Sequence, residues 1–150
     1  MTGTSPASPK RVLVVEDDDV NAFVVEEMLL ALGYDPEVAR DGRQAVDKAC
    51  AEQFGIILMD IEMPRMDGLA ATEAIRKAEG DAGHAACPVV GMSGHKTAGV
   101  RRLCELAGMT GYLTKPFTLD MLLQALEDAG NGTGAGGNYR AGADTAADDR

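Results

Sequence analysis

Five polar side chains, spread widely along the chain, stand at the ends of short apolar runs. RVLVV leads into Glu16 and Asp17, GIILM into Asp60, PVVGM into Ser93 and GYLT into Lys115. If those runs lie side by side, three carboxylates converge, and like charges at close range repel unless a hard cation sits among their oxygens. Carboxylate, backbone and water oxygens in an incomplete shell favour magnesium. A carboxylate nucleophile, acids for a divalent cation, one hydroxyl donor and one ammonium together make the set that in-line phosphoryl transfer uses. A carboxylate nucleophile is already ionised, so no general base is required. Taken singly, the residues have plainer readings. Asp17, Asp18 and Asp19 suit the N-terminus of the next helix, where one of Asp18 or Asp19 is expected as the cap. Lys115 beside carboxylates could be an ordinary ion pair. Capping alone, however, does not account for an acid at the end of the third run.

The elements that must position these groups follow from hydrophobic period. The runs RVLVV, PEVA, GIILM, PVVGM and GYLT are separated by segments of helical spacing. The expected buried stripes are Val20, Val24 and Met28; Ala45, Val46, Ala49 and Cys50; Ala71, Ala74, Ile75 and Ala78; Val100, Leu103, Cys104 and Ala107; and Leu119, Leu122, Leu123 and Leu126. A strand apolar throughout, such as GIILM, belongs in a parallel sheet covered on both faces, joined by right-handed crossovers. The expected fold is therefore α/β, doubly wound, with ligands at the carboxyl ends of the strands where strand order reverses.

With 150 residues, the chain has room for one domain and a tail. The expected division is a flexible segment over 1–9, a folded domain over 10–128, and a disordered Gly/Ala/Asp-rich tail over 129–150 that acts as a linker. A net charge of -10, nearly all of it on residues before the tail, argues against nucleic acid as a partner. No apolar run reaches the length needed to span a bilayer, and MTGTSPASPK lacks the apolar core of a secretory signal, so no membrane role and a cytoplasmic location are expected. Cys50, Cys87 and Cys104 are odd in number and lack metal-ligand spacing, which points to reduced core thiols.

The segments VLVVEDDDVN, ILMDIEMPRMDG and GYLTKPF resemble, in order and spacing, the landmarks of response-regulator receiver domains of two-component signalling, over roughly residues 10–128. The resemblance implies a five-stranded flavodoxin-like sheet of order 2-1-3-4-5. It implies Asp60 as phosphoacceptor, with Mg2+ held by Glu16, Asp17, Asp60 and the backbone carbonyl of Glu62. Ser93 and Lys115 would contact the phosphoryl group, and Tyr112 would be the aromatic switch residue, turning inward as Ser93 is drawn to the phosphoryl group. The Lys115–Pro116 bond would be cis, and Pro64 and Gly68 would shape the loop after Asp60. A histidine kinase or histidine phosphotransfer protein is the implied phosphodonor. Output would pass through the face of helix four, strand five and helix five to a downstream protein target that the sequence does not identify.

Gly94 stands where this family usually has alanine, which would loosen the switch loop. By the same resemblance, Glu62 and His95 occupy positions that in this family tune phosphoryl lifetime, so that lifetime does not transfer from relatives. His84 lies in EGDAGHAAC and reads as an exposed loop histidine. The chain is read as a relay domain, not a turnover enzyme, and as a monomer or a phosphorylation-dependent dimer. It resembles both stand-alone receivers and those carried by hybrid histidine kinases. A pseudo-receiver that binds without phosphorylation is a further alternative. A phosphatase of the haloacid dehalogenase kind would want aspartate where Glu62 stands, and no nucleotide-binding glycine loop follows the first run.

Overall fold

Strand and helix alternate five times along the chain. The structure, a computed structural model, describes residues 10–94 and 98–130. The expectations for 1–9, for His95 and for the tail beyond Gly130 lie outside the described residues. The elements are β1 (Arg11–Val15), α1 (Asp19–Ala31), β2 (Asp35–Ala39), α2 (Gly42–Ala51), β3 (Ile56–Asp60), α3 (Gly68–Ala82), β4 (Val89–Ser93), α4 (Ala98–Ala107), β5 (Gly111–Thr114) and α5 (Leu119–Gly130). α5 thus continues two residues past the expected limit of 128.

The five strands pair in parallel in the order β2-β1-β3-β4-β5, the order that the receiver-domain resemblance implies. The chain steps from β1 outward to β2, then returns across β1 to β3, so order reverses between β1 and β3. In open α/β sheets a crevice forms at that reversal. The register sets Val15 opposite Met59 and Asp60 opposite Met92, bringing the acids that follow β1 level with the end of β3.

Alternation along the strands makes two cores. Leu13, Val15, Ile57 and Met59 face one side with Ala45, Ala71, Ile75 and Cys104. Val12, Val14, Ile56 and Leu58 face the other with Val25, Leu29, Leu122 and Leu126. This explains why β3 is apolar throughout: all five of its residues are buried. Each fully buried Leu, Ile or Met contributes roughly 1.5–3 kcal/mol to holding the strand ends in place.

The helical stripes need correction. α1 buries Ala22, Val25 and Leu29, while Val20 and Val24 are 68% and 48% exposed. Because α1 is apolar almost all round, period alone does not choose its inward face. Cys50 is exposed: it lies five residues on from buried Ala45, about 140° round the helix. Cys104 is buried and Cys87 partly so, and none of the three is in a disulfide. Leu103 and Leu119 also face outward, because Cys104 with Ala107 and Leu122 with Leu126 supply the inward faces. Part of the segment read as a loop after α3 is helix: α3 runs to Ala82 and stops at Gly83, whose φ of 74° is the left-handed conformation glycine accepts most readily. His84, just beyond, is exposed.

Candidate functional site

The four acids after β1 divide their work. Asp18 is the N-cap of α1, its side chain accepting from the Asn21 amide at 2.8 Å. Asp19 in the first turn pairs with Arg40. Glu16 is 2% exposed, anchored where its amide donates to the Ala39 carbonyl at 3.0 Å and its Oε2 accepts from the Asp18 amide at 3.2 Å. Asp17 is left on the rim. Glu16, Asp17 and Asp60 each offer an oxygen within 4.8 Å of the others, the spacing of a divalent-cation site.

Asp60 is 2% exposed at the end of β3. The Glu62 amide and the Lys115 ammonium both donate to its Oδ1, each at 3.2 Å, and Lys115 also reaches Glu16 Oε1 at 3.4 Å. Burial, reinforced by the Glu16 carboxylate, raises the pKa of Asp60 well above the usual carboxylate range, with Lys115 pulling it back. Burial alone would lower the pKa of Lys115, but Asp60 and Glu16 more than reverse this and raise it, so the lysine remains a cation. One ammonium for two buried carboxylates and a third acid leaves excess negative charge. That shortfall is what a divalent cation would neutralise, so the donor set fits magnesium.

Lys115 enters the site after β5, its amide donating to the Ser93 carbonyl at 2.8 Å, and the Lys115–Pro116 bond is cis as expected. Ser93 ends β4 fully buried, and its hydroxyl donates to Glu62 Oε2 at 2.7 Å. The sequence marked Glu62 for its backbone carbonyl; nothing in the sequence indicated where its carboxylate would go. Tyr112, expected to turn inward on phosphorylation, is already inward in this structure, 4% exposed in the core cluster that includes Cys104 and Met109. Burial raises the pKa of its phenol, and hydrogen bonding with Ser93 and Thr114 opposes the rise.

The loop from Asp60 to α3 is held by buried Ile61 and Met63 and by left-handed Arg65, while Pro64 is exposed. Asp67 caps α3, and the Gly68 amide donates to the Ile61 carbonyl at 3.1 Å. An apolar patch follows the acid cluster in the first turns of α1: Val20 and Val24, expected to be buried, are 68% and 48% exposed, and Phe23, which the sequence reading did not assign, is 60% exposed.

Comparisons with known proteins agree with this geometry. The family described as response regulator receiver domain matches residues 12–127. Sensor protein GacS of Pseudomonas syringae pv. syringae is 37% identical over 116 residues, covering 77% of this chain but 13% of GacS. The chain therefore spans only a small part of such sensor kinases. Among solved structures, the receiver domain of a Pseudomonas aeruginosa sensor histidine kinase, with magnesium coordinated in its active site cleft, aligns with a TM-score of 0.74 at 36% identity, covering 82% of this chain and 98% of that one. The receiver domain of a Saccharomyces cerevisiae response regulator, crystallised with a histidine phosphotransfer protein, aligns with a TM-score of 0.76 at 26% identity, covering 81% and 88%. No helix among the described residues is long and apolar enough to cross a membrane.

Proposed function

This chain belongs to the response regulator receiver domain family, a module of two-component phosphorelays, and from that premise we propose that Asp60 accepts the phosphoryl group. The donor is a phosphohistidine on a histidine kinase or histidine phosphotransfer protein. The observation that carries the reading is the convergence of Glu16, Asp17 and Asp60 at the strand-order reversal, with the Lys115 ammonium 3.2 Å from Asp60.

In this reading an Asp60 oxygen attacks phosphorus in line. The O–P bond forms as the N–P bond of the donor imidazole breaks, and the departing nitrogen keeps the electron pair and is protonated from solvent. Glu16, Asp17, Asp60 and the Glu62 carbonyl would hold magnesium, which when bound would supply charge neutralisation for the transferred group. Lys115 fixes the Asp60 carboxylate before transfer and then pairs with a phosphoryl oxygen. Burial of Asp60 keeps bulk water from the acyl phosphate that results.

The donor docks on the exposed apolar turn of Val20, Phe23 and Val24. This patch starts directly after the acid cluster, so a partner covering it also covers the entrance to Asp60. The yeast receiver crystallised with a phosphotransfer protein supports a partner of this kind.

Intact mass after incubation with Mg2+ and acetyl phosphate tests the assignment. One labile phosphoryl group is expected on the native protein, and none on Asp60→Asn or in the absence of metal. A phosphoryl group retained by the variant would refute it.

A further inference from the structure

Glu62 touches both halves of the site with different atoms. Its backbone amide donates to Asp60 Oδ1 at 3.2 Å, while its carboxylate, on a residue otherwise exposed, reaches inward to accept from Ser93 at 2.7 Å. Ser93 is fully buried while Glu62 sits at the surface, so this is a charge-assisted hydrogen bond with its donor end out of water. A serine hydroxyl has one proton and donates to one acceptor at a time. While Ser93 donates to Glu62, it cannot donate to a phosphoryl oxygen on Asp60. A carboxylate at that place also repels an incoming phosphoryl group, which carries charge of the same sign.

Resting on the phosphoacceptor reading above, we infer that the Glu62 carboxylate is an internal competitor for the Ser93 hydroxyl, which the phosphoryl group must displace before the site can close on it. The displacement has a route, since the residue lies on the exposed loop between Asp60 and α3 and its side chain can swing to solvent. Tyr112, buried in the core, is near enough for hydrogen bonding with Ser93 to oppose the rise in the pKa of its phenol. The hydroxyl is therefore the shared point between the rim and β5. Glu62 in this role is a positioning residue: it acts on the reaction only through Ser93.

The test compares initial rates of phosphorylation by acetyl phosphate at saturating Mg2+ in the native protein, Glu62→Ala and Glu62→Gln, each with and without Ser93→Ala. Both Glu62 variants keep the backbone amide and carbonyl. Glu62→Ala should be phosphorylated roughly tenfold faster, the scale of one charge-assisted hydrogen bond, with Glu62→Gln between it and the native protein. In the Ser93→Ala background the gain should shrink to less than about twofold, because the two residues act through one interaction. Beryllofluoride, an unreactive phosphoryl mimic, should bind Glu62→Ala tighter by a similar factor. The Ser93 amide resonance of the unphosphorylated protein should move in Glu62→Gln. An unchanged rate in Glu62→Ala, a gain that persists without Ser93, or a stationary Ser93 resonance overturns the competition. Failure of every folded variant to accept a phosphoryl group is a different result: it removes the phosphoacceptor reading and the competition with it.

Discussion

Two glycines in α3 should respond to alanine in opposite directions. At Gly68, an added Cβ would sit 2.3 Å from the Asp60 carbonyl oxygen, 2.9 Å from the Ile61 Cα and 2.9 Å from Met59 Cγ. An ordinary carbon–oxygen contact is about 3.3 Å, so the helix start must retreat by roughly 1 Å. Two of the three obstacles are backbone and cannot rotate aside. Retreat also stretches the bond from the Gly68 amide to the Ile61 carbonyl, now 3.1 Å. Overpacking at about 1–3 kcal/mol plus the lost bond at about 1 kcal/mol gives a destabilisation of roughly 2–4 kcal/mol. At Gly80, an added Cβ meets nothing within 4 Å, and the residue is helical, so alanine there should stabilise by about 0.5–1 kcal/mol. Urea unfolding followed by circular dichroism measures both. Gly68→Ala should also slow phosphorylation by acetyl phosphate, because the atom it pushes belongs to Asp60 itself. If the two variants shift stability in the same direction, or if Gly68→Ala stays within about 0.5 kcal/mol of the native protein, the steric argument fails.

The docking face offers a sharper functional separation: Phe23→Ala should slow transfer from a phosphorylated histidine phosphotransfer protein roughly tenfold, while transfer from acetyl phosphate changes little, and equal losses with both donors would refute the assignment. For stability against acid, Glu37 is the residue to follow. Its carboxylate accepts from Lys48 at 2.7 Å and from Arg11 at 2.7 Å, and those contacts, Lys48 foremost, lower its pKa in the folded state. A lowered pKa means stabilisation that is present at neutral pH and is lost as pH falls from the ordinary glutamate range through the lower folded value. Glu37→Gln should therefore cost about 1 kcal/mol near pH 7, after allowance for solvent screening of a part-exposed group, and the difference from the native protein should close as pH falls below the lowered folded-state pKa of Glu37. Chemical denaturation at stepped pH values reads this directly.

The parts of the site that followed from sequence are those fixed by backbone topology. Once RVLVV, GIILM, PVVGM and GYLT were strands of one parallel sheet, residues just after them had to meet at one edge. Glu16, Asp17, Asp60, Ser93 and Lys115 do so. Two features depended on a choice between competing partners: for α1 the sequence pattern pointed to the wrong stripe, Val20, Val24 and Met28, and for the Glu62 side chain it was silent. α1 carries Val20, Phe23 and Val24 as well as Ala22, Val25 and Leu29. Either set would make an apolar stripe, and the second goes inward. The first is left on the surface, an expense in exposed apolar area that a docking partner would recover. Glu62 likewise has a backbone position dictated by the loop and a side chain that was free to face solvent. It turns instead to a serine 31 residues away in sequence. No period or spacing encodes that choice, since it rests on the proximity of a buried hydroxyl to a carboxylate on a different loop. Both features bear on regulation rather than on chemistry. On the proposed reading, the acids and the lysine set what reaction the site can perform, while the outward face of α1 and the inward turn of Glu62 would bear on which donor reaches Asp60 and how readily the transfer proceeds.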